Sequence, residues 1–167
     1  MVQTEIVALI LTGIGIIISI LYYTMNLKNA NETQQQQLET RQANLFSQYH
    51  LYYQSKEFQH DFNEILYKWE WKDYEEFRTK YGSGSENLKA YSSWIRIFQF
   101  YDGLGVLVKK GLLDENLVAE LMSDTLKLFW EKNITVIRKA REYHNLPTVF
   151  EMTEYLYNEV SELENPE

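Results

Sequence analysis

The stretch Ile6–Tyr23, IVALILTGIGIIISILYY, decides how the rest of the chain is read. It holds no charge in 18 residues, and only Thr12, Ser19 and two glycines interrupt its apolarity. As a helix rising ~1.5 Å per residue it covers about 27 Å, close to the hydrocarbon thickness of a bilayer. A cleavable signal peptide would need a positive start, a shorter apolar core and a small-x-small cleavage site. Here the leader Met1-Val2-Gln3-Thr4-Glu5 carries an acid, and Tyr22-Tyr23-Thr24-Met25-Asn26 closes the run without Ala-x-Ala. A buried core helix needs apolar neighbours to cover it, and residues 26–37 are almost wholly polar. The reading is a membrane span within an anchor of residues 1–25.

Tyr22 and Tyr23 suit a membrane–water interface, where a ring has one apolar and one wet side. Lys28 and Arg41 follow on the C-terminal side, whereas the N-terminal side offers only its amine and Glu5. Counting Lys and Arg, the bias places the N-terminus outside and the remainder in the cytoplasm of a single-pass cell-membrane protein. The chain has no cysteine, which suits a reducing compartment and excludes a disulfide framework or a thiolate zinc site.

Of the 167 residues, about 140 follow the anchor, enough for a stalk and one small domain. The net charge is −8, and residues 56–167, with 14 Lys+Arg against 21 Asp+Glu, hold −7 of it. That balance argues against nucleic acid, whose phosphates need a basic face. It also argues against a domain lying flat on anionic lipid, since no polybasic segment follows the span. Two prolines, seven glycines and no alternating strand pattern leave long helices as the natural structure. The expected fold is therefore all-α, with a single N-terminal transmembrane helix, a polar helical stalk and a compact cytoplasmic helical bundle.

Within the span, Ala8, Thr12, Gly15 and Ser19 share one helical face. Small faces let transmembrane helices approach closely, so these four are the candidate packing residues of the span. Residues 26–55 follow as the stalk. Leu38, Leu45 and Tyr52 recur every seven residues, but the core positions between them are polar. The coiled-coil signal is weak, and a solvated single helix or a paired stalk are both open.

The bundle is expected over 56–162, ahead of a frayed acidic tail at 163–167. Phe58, Phe62, Ile65, Leu66 and Trp69 lie at helical spacing. Asp73 can cap a short helix over 74–81, which Gly82 would end as a C-terminal glycine does. Ser83-x-x-Glu86 has the form of a capping box for a helix over 86–110. That helix carries a wide apolar sector, with Tyr91, Ile95, Phe98 and Gly105 on one face and Trp94, Ile97, Tyr101, Leu104 and Val108 beside it. Burial on more than one side follows. After Gly111, Asp114 caps a long helix whose stripe includes Leu117, Val118, Leu121, Met122, Leu128, Phe129, Ile134 and Ile137. Ser123-Asp124 is a possible kink, and the helix ends near His144-Asn145. Thr148-x-x-Glu151 has the form of a second capping box, opening a last helix with Phe150, Tyr155, Leu156 and Val160. Ser161 onward is expected to fray.

Residues 100–108, FYDGLGVLV, are followed by Gly111-Leu112-Leu113-Asp114, Trp130-Glu131, Arg141, and Phe150 with Tyr155-Leu156. Over about 94–156 this pattern resembles a prokaryotic family catalogued only as a domain of unknown function. The resemblance implies a membrane helix, a polar helical segment and a compact helical domain, and no activity. Glu is commoner in that family where Asp102 stands.

Chemical motifs were sought along the whole chain. His50, His60 and His144 are scattered, and His60-Asp61 with Glu64 offers one imidazole and two carboxylates, better read as a solvated face than a metal site. There is no phosphate-binding loop, nucleophile elbow or Cys/His pair. Arg138-Lys139-Arg141 suits the negative end of a helix dipole. No catalytic, cofactor-binding or metal-binding set emerges, and no cofactor is implied.

Three residues are assigned to the structural core: Tyr101, Asp102 and Trp130. Asp102 shares the core-facing side of Tyr91, Ile95 and Phe98, so its carboxylate must be hydrogen-bonded or paired. A hairpin about Gly111 sets it opposite about residue 123 and far from Arg141. A hydroxyl, a tyrosine or a backbone amide is the expected partner. The leading functional expectation is a membrane-tethered adaptor or accessory subunit. It would present its acidic bundle to a protein partner, or associate with copies of itself through the span or stalk. The alternative is a membrane-anchored enzyme or small-molecule sensor with its site in the aromatic core. A filled core suits the first, and a pocket ringed by tyrosines and an acid suits the second.

Overall fold

The computed structural model describes residues 2–164, apart from the side chains of Val2, Val7, Ala8 and Ile10. Every regular element among them is helical: α1 Val2–Tyr53, α2 Lys56–Tyr67, α3 Tyr74–Phe77 with a π-helical turn at Arg78–Gly82, α4 Leu88–Lys109, α5 Glu115–His144 and α6 Glu151–Glu164. The chain divides after Ala43 into two compact units.

In the first unit, α1 is long and apolar enough to cross a membrane. The large apolar side chains described in it are uncovered, with Leu9 78% and Ile17 59% exposed. Thr12, Gly15 and Ser19 lie on this exposed surface, and the Ser19 hydroxyl donates to the Gly15 carbonyl at 2.8 Å. A Cβ added at Gly15 would meet open space. The Ala8 side chain lies outside the described residues.

The second unit begins at Asn44, inside the segment read as a stalk. Phe46 is buried, and the Tyr53 hydroxyl meets Thr125 Oγ1 at 3.3 Å, so the last turns of α1 contribute to the bundle. Helix α6 packs against both α4 and α5, and α2 also touches both. Phe58, Phe98, Leu104, Leu126, Phe129 and Leu156 are fully buried. The core is aromatic throughout, with Phe98 4.7 Å from Phe129 and Phe58 4.7 Å from Phe100, centroid to centroid. Such tilted pairs set ring edges against ring faces and contribute beyond their buried area.

Helices α4 and α5 run antiparallel in register. Trp94 meets Asn133, Phe98 meets Phe129, and Tyr101 meets Thr125. The connection explains this. Gly111 adopts φ +64, and Leu112 and Gly111 donate to the carbonyls of Leu107 and Val108. That is a Schellman closure, which needs a left-handed residue after the helix. Asp114 then accepts from Asn116 N–H at 2.8 Å and starts α5. Asn145, at φ 51, closes α5 in the same way, with Leu146 N–H on the Arg141 carbonyl.

Several local expectations are corrected. Helix α4 is capped by Asn87, which accepts from Ala90 N–H at 3.2 Å, because Ser83 spends its carbonyl on Glu86 and Asn87. Gly82 does not end its helix by a positive φ. A Cβ there would fall 2.7 Å from the Phe77 ring, so glycine is required by close approach. Helix α5 continues through Ser123-Asp124, and Leu121 and Leu128 of its expected apolar stripe are each 49% exposed. Helix α6 extends through Glu164, beyond the expected fraying point, and the Glu164 carboxylate pairs with Lys127. Thr148 accepts through its carbonyl and does not cap by its hydroxyl.

One buried and one half-buried polar contact tie the helices laterally. Trp94 Nε1 donates to Asn133 Oδ1 at 2.9 Å, and Asn133 Nδ2 donates to the Phe129 carbonyl at 2.8 Å. Lys132 Nζ donates to the carbonyls of Leu66 and Trp69 at 2.6 and 2.9 Å, closing the end of α2, and burial pulls its pKa down. Asn133→Leu should strand the Trp94 N–H in the core and lower the unfolding free energy by about 1–3 kcal/mol in urea titrations. A loss below about 0.5 kcal/mol would mean that this bond holds nothing together.

Candidate functional site

Helix α4 supplies an uncommon pair, Asp102 and Gly105, one turn apart on the face toward α6. Thr153, the third residue of α6, donates to Asp102 Oδ1 through both its N–H and its hydroxyl, each at 2.7 Å. Asp102 thus does from a neighbouring helix what an N-cap side chain does locally, and its charge sits at the positive end of the α6 dipole. A Cβ at residue 105 would fall 2.2 Å from the Met152 carbonyl oxygen, so glycine is what lets the first turn of α6 come this close. The expected hydroxyl and backbone amide at Asp102 are therefore both supplied by Thr153. Arg141 goes elsewhere, with Nε on the Val149 carbonyl at 2.9 Å and Nη1 on Glu154 at 2.6 Å.

Tyr101 and Trp130 lie within the packed interior, Trp130 at 1% exposure. The Tyr101 hydroxyl meets Thr125 Oγ1 at 3.3 Å, and burial pushes its pKa well above the ordinary tyrosine value. Aromatic rings pack around both residues in the interior.

An opening lies instead at the edge of the bundle. Helix α3, its π turn, the following serine-glycine loop, α4, the end of α5 and the loop 146–150 enclose a groove of about 750 Å³. Tyr74, Phe77, Tyr91, Trp94, Tyr143 and Phe150 give its aromatic walls, and Asp102 is the single acid among the described lining residues. Arg78 sits with its guanidinium carbon 5.6 Å over the Tyr143 ring, neutralised by Glu75 at 3.2 Å and Glu86 at 3.8 Å. Phe150 adopts φ 55, a left-handed conformation that is strained for a bulky residue, and it stacks on Phe98 at 4.2 Å. Strained residues of this kind concentrate at binding and catalytic sites.

The sequence pattern concealed this groove because its residues come from helices and loops far apart in the chain. Tyr143 and Gln99 carried no signal, and Phe150 looked like an ordinary helix residue. A second correction concerns His60-Asp61-Glu64. His60 is exposed as expected, but Asp61 is 7% exposed and ion-paired to Arg96 at 3.2 Å, so the acid at the centre of the trio is not solvated. Arg96 also pairs with Glu57 and ties α4 to α2. No group of His, Cys, Asp and Glu among the described residues could hold a metal ion.

Fold and groove together define an all-α protein, with one helix long and apolar enough to span a membrane and a helical bundle carrying an aromatic cleft. The chain belongs to the family described as Domain of unknown function (DUF4760), whose model matches residues 9–160. The match extends well beyond the segment 94–156 that carried the resemblance, into the apolar helix itself. No curated protein and no solved structure gives a match.

Proposed function

We propose that this chain is a membrane-tethered binding module, held by the α1 span and taking up a small ligand in the groove beside Asp102. The groove carries the reading. Its volume of about 750 Å³ lies within the usual range for small-molecule sites. Six aromatic side chains wall it, Asp102, Gln99 and His144 add polar groups that can orient a ligand, and Phe150 lines it in a strained backbone conformation. Membrane attachment is supported by the exposure of the large apolar side chains described within Ile6–Tyr23, since soluble surfaces rarely leave such a patch uncovered. In this reading the N-terminus is outside and the bundle cytoplasmic. The chain should stay with membranes through alkali extraction, and the bundle should resist protease added to spheroplasts. Release by alkali, or digestion from outside, would end it. Ligand uptake is tested by thermal-shift screening of the detergent-solubilised full chain against small-molecule libraries, with Tyr91→Trp as a groove-blocking control.

A second reading, the adaptor or accessory subunit, is favoured by the filled core and by the −7 charge of residues 56–167. Its partner would be a protein or another copy, reached through the span, the polar helix after it or the acidic bundle. Crosslinking in native membranes would yield one dominant, salt-sensitive product under this reading.

A further inference from the structure

We infer that the groove selects an organic cation, an amine on an aromatic or aliphatic body, with Asp102 as its counter-charge. This rests on the groove being a ligand site and names the class of ligand. The first observation is Asp102 itself. Thr153 occupies Oδ1 twice, and among the described residues neither a hydrogen bond nor an ion pair reaches Oδ2. Asp102 is half-buried and lines the groove, so one of its oxygens has acceptor capacity left inside a partly desolvated cleft. A cationic donor uses that capacity, and an anion would be repelled by it.

The second observation is the wall. Ring faces attract cations through their quadrupole, most strongly when water is excluded. The groove already demonstrates this internally, because Arg78 rests over Tyr143. Arg78 does not cancel Asp102, since Glu75 and Glu86 neutralise it. Asp102 is the one carboxylate lining the groove; the first turn of α6 offsets its charge only in part and His144 lines the same groove, so Oδ2 is left to face a ligand. Trp94 and Phe150, edge to face at 5.6 Å, supply the apolar surface for the ligand body.

The test is a charge series of one size: phenethylamine, 2-phenylethanol and phenylacetate, titrated by calorimetry into the full chain in detergent. Amide chemical shifts locate the binding. The amine should bind about tenfold tighter than the alcohol, with phenylacetate weakest. Asp102→Asn keeps an Oδ1 acceptor for Thr153 but removes the charge. Gln99→Lys, at an exposed lining position, adds a competing ammonium without touching the core. Each should weaken the amine about tenfold and leave the alcohol within about twofold. Equal binding of amine and alcohol, tighter binding of phenylacetate, or amine affinity unchanged in both variants overturns the cation inference while the groove stands as a site. If none of the three probes shifts the groove amides, both the inference and the groove reading fail.

Discussion

Gly105→Ala should lower the unfolding free energy of the bundle by about 3 kcal/mol or more. The added methyl would sit 2.2 Å from the Met152 carbonyl oxygen and 2.9 Å from its carbonyl carbon. Those atoms belong to the backbone of the first turn of α6, so no rotamer change relieves the clash. The helix must shift, and with it the fully buried Thr153, Leu156 and Val160 and both hydrogen bonds to Asp102. Overpacking a core usually costs about 1–3 kcal/mol, and a backbone collision belongs above that range. Alanine recovers about 1 kcal/mol of helix propensity over glycine, which does not offset it. Gly103→Ala is the matched control, two residues away in the same helix. There the methyl meets the Tyr49 hydroxyl at 2.6 Å, the far end of a partly exposed side chain that can swing aside. Its effect should stay within about 1 kcal/mol in either direction. Urea unfolding of the two variants side by side decides the matter, and equal midpoints would mean that α6 does not dock as described.

Trp130→Ala should cost about 3–5 kcal/mol, the range for deleting a large aromatic from a core. Trp130 is 1% exposed, 6.4 Å from Phe98 and 6.1 Å from Tyr157, centroid to centroid, so it joins α5 to both α4 and α6. Trp130→Phe should recover most of the loss, since a ring remains at the junction. A Trp130→Ala loss below about 1 kcal/mol in the same urea experiment would place the indole outside the packed interior.

Much of this architecture was legible before any coordinates. The uncharged 18-residue run, the helix at 115–144, the stop at Gly111 and the cap at Asp114 all follow from local chemistry. So does the hairpin register, which counting from Gly111 set within about two residues of the observed pairing of Tyr101 with Thr125. The failures share a cause. A capping box is a statement about local partners, and at both Ser83 and Thr148 a different acceptor takes the role. At α6 that acceptor is Asp102, 51 positions away in sequence.

The amino-acid sequence by itself determined what periodicity and charge can encode: an all-helical chain, an apolar run long enough for a bilayer, an acidic surface, and a core-facing carboxylate that had to find a donor. Tertiary structure decided which donor, and it alone assembled the groove. Tyr74, Tyr91 and Phe150 each look like ordinary core aromatics within their own segments, and Tyr143 stands out in no way. The antiparallel register of α4 and α5, the left-handed turn at Asn145 and the close approach at Gly105 bring them around one carboxylate. Side-chain spacing within one helix carries no information about rings supplied by another, so a site built from several elements exists only once the chain has folded.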